Sequence, residues 1–240
     1  MKAQERHHLK QNEFAATTAR LAEAAMANRD RLLLYLGAAV LVAAVGGGYL
    51  YIQKQKNDQA SALFGAALTT EHAPIVPAPT LPGSSQQAGT FATEQARGEA
   101  AVAQFQKVID SFPNHEAGIA ARYHKAAALL SLGRAADAEA AFREAASRGA
   151  GTLVAATATL GLSQALVAQN KFDEAIKPLT ELSGQRDSEL PMDGVLMELA
   201  RVCQKAGKTQ EARAASKRVV DEFPQSGYAG EARQQLAAIG

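Results

Sequence analysis

LLSLGRAADAEAAF (129–142), ALVAQNKFDEAIKPL (165–179) and VCQKAGKTQEARAAS (202–216) are three copies of one pattern. Gly133, Asn170 and Gly207 stand 37 residues apart, as do Ala138, Ala175 and Ala212, and as do Ala126, Ser163 and Ala200. Phe105 precedes Phe142 by the same interval, which marks a half repeat before the first full one. VIDSFP (108–113) returns as VVDEFP (219–224) three periods later, with Pro224 closing the last copy. Self-similarity at a fixed spacing of this length is the signature of a solenoid.

Each copy reads as two helices. Apolar residues recur at three and four spacing, for example Phe142, Ala145 and Ala146, the period of an amphipathic helix face. Between the helices falls a Gly or Asn, the residues that most readily adopt the left-handed conformation of a helix C-cap. Ala or Ser at the first repeated position, and Ala at the second, let two helices cross closely. One such pair cannot bury its apolar face alone, but a stack can. Gly227 to Ile239 is expected to be a terminal helix that covers the last repeat. The fold class is therefore all-α.

The order of small residue, Gly or Asn, Ala, bulky residue and terminal Phe-Pro resembles the tetratricopeptide repeat. The resemblance covers residues 91–240. It departs from the family in lacking the usual Trp, whose place is taken by Arg122, Thr159 and Leu196, and in its period of 37 against the family's usual ~34. The surplus is assigned to loops such as SGQRDSELP (183–191). The resemblance implies a groove lined by the first helix of each pair. Projecting that register places Tyr123, His124, Leu130, Leu160, Gln164, Val167, Met197, Arg201 and Gln204 near it. Mostly apolar with polar edges, this face suits a protein or peptide held by a few anchors. The alternative is that residues 53–69 of the same chain cover it. A clamp of several cations for a terminal carboxylate is not in evidence, since only Arg201 and Lys205 are at hand.

Outside the repeats the strongest feature is LLLYLGAAVLVAAVGGGYLYI (32–52), which carries no charge. A helix needs about 20 such residues to cross a bilayer core. Arg29, Asp30 and Arg31 precede it, Lys54 and Lys56 follow it, and Tyr35, Tyr49 and Tyr51 lie near its ends, where amphipathic rings favour the headgroup region. The polar stretch before it (1–31) exceeds a typical signal-peptide n-region, and no cleavage site follows directly, so an uncleaved anchor is expected. Lys2, Arg6, Lys10, Arg20, Arg29 and Arg31 outweigh the basic residues that follow, which favours a cytoplasmic tail. Leu9, Phe14 and Leu21 are spaced for one helix face, so the tail is either a short surface helix or poorly ordered. Ala39, Ala43 and Gly47 recur every four positions, as in a helix-pairing face or simply as part of an Ala-rich composition. Residues 53–72 are expected to continue as a helix. Residues 73–90, with Pro74, Pro77, Pro79 and Pro82, are expected to form an extended spacer before the repeat domain.

Basic tail, single span, helical extension and Ala-rich repeats together resemble the bacterial ancillary subunit of the Sec translocon; the cell-division-coordinator family shares the repeat type. The first resemblance implies an inner-membrane anchor with periplasmic repeats, working beside the translocon and periplasmic chaperones. A different class is a membrane-tethered organiser that forms homo-oligomers through its anchor.

Composition narrows the chemistry. Twenty-five Lys+Arg against 24 Asp+Glu give a net charge of +1, which rules out a chain-wide polycation, so nucleic acid is not expected as a partner. The single cysteine, Cys203, permits neither an internal disulfide nor a Cys-based metal site and is read as a small buried residue. His7-His8 is a solvated pair, and His115 and His124 are read as surface residues. Ser163 in GLSQA (161–165) superficially suggests a nucleophile elbow, but that elbow requires a strand-to-helix turn, and this one lies mid-helix. No enzyme, cofactor or metal site is expected.

Overall fold

The computed structural model describes residues 19, 29–77, 86–185 and 189–239. The tail helix, His7-His8, and parts of the Pro-rich stretch and of the 183–191 loop lie outside the described residues. The protein is all-α, and its described helices are α1 (Arg29–Glu71), α2 (Glu94–Ser111), α3 (Glu116–Ser131), α4 (Ala135–Arg148), α5 (Leu153–Ala168), α6 (Phe172–Ser183), α7 (Met192–Lys205), α8 (Thr209–Glu222) and α9 (Ala229–Ile239). The chain divides into two compact units, Met1–Asn57 and Asp58–Gly240.

In the first unit, α1 is apolar and unpacked. Its large side chains from Leu33 to Ile52 are all more than half exposed. Among the described residues it is the one helix long and apolar enough to cross a membrane, as a membrane anchor or a signal sequence is.

The second unit is a stack of helix pairs. The repeated Gly or Asn makes the same turn three times. Gly133, Asn170 and Gly207 have φ of 75°, 60° and 72°. In each turn the following residue's N–H reaches the carbonyl five residues back: Arg134 to Leu129 at 3.0 Å, Lys171 to Leu166 at 2.9 Å, and Lys208 to Cys203 at 2.8 Å. This Schellman arrangement satisfies carbonyls that the helix end would leave bare. The crossing residues Ala126, Ser163, Ala200, Ala138, Ala175 and Ala212 are all fully buried. Ser163 Oγ donates to Ala175 O at 3.2 Å, so its hydroxyl is satisfied across the pair it separates.

The core is a ladder with the same 37-residue step. Phe105, Phe142, Leu179 and Ser216 are buried rung by rung. Phe142 fits against α5 only because residue 161 is glycine; a Cβ there would lie 2.3 Å from the ring. At the last rung, Ser216 Oγ bonds with Ala212 O and Gln235 Oε1, both at 2.9 Å. The two Phe-Pro turns also match: Phe112 and Phe223 have φ, ψ of −137°, 57° and −132°, 57°. Pro224 itself is exposed and acts as a helix stop.

Three features add to the sequence reading. The half repeat is completed by α1, whose Ala60, Leu63, Phe64, Ala67 and Leu68 pack with Phe105, Val108 and Ala121. The Pro-rich stretch does not part its two ends. Val76 N bonds Phe91 O at 2.9 Å and Phe91 N bonds Pro74 O at 3.1 Å, so it leaves and re-enters the stack at one place. Finally, Arg122 replaces the family's Trp as a buried cation, only 4% exposed. Its Nε donates to Glu144 Oε1 at 2.8 Å, and its Nη1 to the carbonyls of Pro113 at 2.8 Å and Gly118 at 3.0 Å. Burial is tolerable because several of its donors are satisfied.

Gly161→Ala is expected to cost about 1–3 kcal/mol by overpacking, read as a lower melting temperature. Gly230→Ala, where an added Cβ meets nothing within 4 Å, should be neutral or raise stability by up to ~1 kcal/mol through helix propensity.

Candidate protein-interaction groove

Helices α3 and α5 are the first members of successive pairs and lie side by side. Beside the fully buried stripe of α3, Tyr123, Ala127 and Leu130 recur at helical spacing, partly buried against the core. On α5 the matching residues are Leu153, Thr157, Leu160 and Gln164. Between them opens a cleft of about 340 Å³, walled by Tyr123, Leu130, Ser131, Thr157, Leu160 and Gln164 and floored by Phe142 and Gly161. Four of the expected groove residues, Tyr123, Leu130, Leu160 and Gln164, thus meet at one place. No charged side chain lines it. The floor was legible only as repeat packing, since Phe142 serves both the core and the cleft.

The remaining expected groove residues have other surroundings. His124 is not a free surface residue. Its Nδ1 lies 2.9 Å from Glu71 Oε2. Its ring stacks on Phe105 at 5.2 Å and meets Phe64 and Tyr123 edge-on at 5.5 and 5.4 Å. This ties the end of α1 to α3. The residues around the tie line a larger cavity of about 920 Å³, to which Glu94 and Arg97 also contribute. The covering helix foreseen as an alternative is therefore present at this end, while the α3–α5 cleft stays open. His115 caps α3, accepting from Ala117 N at 3.1 Å.

At the other end α9 takes up the expected groove residues. Arg201 binds Glu231 with two hydrogen bonds, 2.8 and 2.6 Å, and its guanidinium lies 5.7 Å from the Tyr228 ring. Hydrogen bonding to Arg201 holds the Glu231 carboxyl below its usual range, and the same contact raises Arg201. Gln204 accepts from Gln235 Nε2 at 2.8 Å. Met197 is only 1% exposed and belongs to the core, and Val167 is half-buried against it. α9 packs on α8, and its Glu231 and Gln235 reach α7 through these bonds. Cys203 is buried too, and burial pushes its thiol up, away from nucleophilic use.

One electrostatic knot braces α4 against the turn after α5. Glu139 accepts from Lys171 Nζ at 2.9 Å, Arg143 Nη2 at 2.9 Å and Gln169 Nε2 at 2.9 Å. These bonds, Lys171 foremost, hold its carboxyl down to about 2. No group of three or more His, Cys, Asp or Glu among the described residues is placed to hold a metal ion.

Stacked helix pairs with repeated left-handed turns and an open cleft between first helices define a helical-repeat protein of the kind that binds proteins or peptides. The model of the tetratricopeptide repeat-like domain matches residues 26–227, and the chain belongs to that family. Two crystal structures of repeats from Podosopora anserina, named after the kinesin light chain, are similar in fold. They superimpose with TM-scores of 0.52 and 0.51 at 19% and 20% identity, covering 61% of this chain and 79% of theirs. No curated protein matches the sequence.

Glu139→Gln should cost about 1–2 kcal/mol at pH 7, discounted for the exposure of its cationic partners. Because the folded carboxyl is depressed, its contribution is complete above the unfolded value near ~4.3. It is lost as pH falls toward about 2. Melting curves of both proteins should therefore converge over that window.

Proposed function

We propose that the chain is a membrane-anchored protein-interaction scaffold. Its repeat domain holds partner polypeptides on the outer side of a bacterial inner membrane, in secretion or envelope assembly. One observation carries the reading. A single chain joins an unpacked apolar helix, its large side chains from Leu33 to Ile52 exposed, to a family repeat domain that keeps an open cleft among its first helices. The apolar stretch supplies the anchor, and the basic residues before it favour a cytoplasmic tail. The layout resembles the ancillary subunit of the Sec translocon, which suggests translocon components and periplasmic chaperones as partners.

Two measurements test this. Protease added to intact spheroplasts should digest residues 91–240 and leave a cytosolic control protein whole; protection until lysis would overturn the outward orientation. A photocrosslinking residue at Ser131, exposed at the rim of the cleft, should give adducts with envelope proteins in living cells. Adducts only with a second copy of the chain would favour the oligomer-organiser reading instead.

A further inference from the structure

The cleft's chemistry narrows the partner further, on the basis of the scaffold reading. From Gly149 to Asn170 the chain contains no charged residue, in a sequence where one residue in five is charged. Thus α5 brings no charge to the cleft, and none of the α3 residues that line it is charged. Leu153, one turn before Thr157 on the same face, is 46% exposed and extends the apolar strip. A charged ligand group seated here would give up water without gaining a counter-charge.

The ionic groups on either side are already engaged with each other. His124 is held by Glu71, and Arg201 by both oxygens of Glu231. Neither is set up to receive a free terminal carboxylate or amine. At the rim, the Gln164 amide is exposed and has no hydrogen-bond partner among the described residues. An amide offers both donor and acceptor, which matches the N–H and C=O of a passing extended main chain whatever its side chains.

We propose that the α3–α5 cleft receives one aliphatic or aromatic side chain from an internal, uncharged stretch of an extended partner polypeptide, with Gln164 pairing its main chain. Leu130, Leu160 and Phe142 select the apolar anchor. Gln164 adds affinity without reading sequence.

The test uses the full-length chain in lipid nanodiscs, which keeps its apolar helix covered. The probe is an array of overlapping peptides of about a dozen residues taken from carboxymethylated α-lactalbumin, with both ends capped. Retained peptides should be rich in Leu, Ile, Met and Phe and poor in charge. Uncapping the C-terminus should not improve retention. Leu160→Glu should weaken retention about tenfold or more, and Gln164→Ala should weaken it severalfold across all retained peptides alike. Circular dichroism checks that Leu160→Glu remains folded; Gln164→Ala, at an exposed position, keeps the test decisive if it does not. A retained set dominated by charged peptides, dependence on a free carboxylate, indifference to both substitutions in folded protein, or no retention at all would each overturn the proposal. If Ser131 adducts with envelope proteins persist in cells while the array fails, the scaffold reading stands and only this account of the cleft falls.

Discussion

The stack depends on how closely two helices can cross. At Ala126, Ser163 and Ala200, and again at Ala138, Ala175 and Ala212, the space is completely filled by a methyl or hydroxymethyl group. Close crossing makes short three-residue turns sufficient, and those turns need a residue in the left-handed region. It also brings successive Phe and Leu rungs into line, so that each pair leaves a face the next must cover. The crossing, the turn and the rung are therefore one constraint seen at three positions of the repeat.

That coupling explains why the solenoid could be read from residues alone. Gly133, Asn170 and Gly207 announce the turn by backbone preference, and the alanines announce the crossing by size. Neither signal depends on distant contacts. The first pair escaped notice because its two helices are separated by the Pro-rich stretch, which breaks the period between Ala67 and Phe105. The sequence places Arg122 where the family has Trp but does not by itself show the burial of a guanidinium. Its burial rests on two carbonyls and one carboxylate that no local pattern reveals.

The groove was legible to the same degree. Tyr123 with Leu130, and Leu160 with Gln164, lie beside the buried stripe of their helices, so helical periodicity finds them. Met197, Arg201 and Gln204 occupy matching positions on α7, but Met197 joins the core, and Glu231 and Gln235 of α9 take up the other two. The absence of charge from Gly149 to Asn170 was visible in the sequence and marks the middle of the stack as chemically unlike its ends.

The final rung has a wider consequence. Where Phe105, Phe142 and Leu179 present hydrocarbon to the next layer, Ser216 presents a hydroxyl already committed to Gln235, and Gln235 in turn bonds Ala200 O and Gln204. Ser216 and Gln235 are themselves buried, so α9 is joined to the stack through satisfied hydroxyl and amide bonds rather than through hydrocarbon alone. The last joint of the stack is therefore directional, since a hydroxyl and an amide must meet in register, where the hydrocarbon rungs before it ask only for a fit of volume.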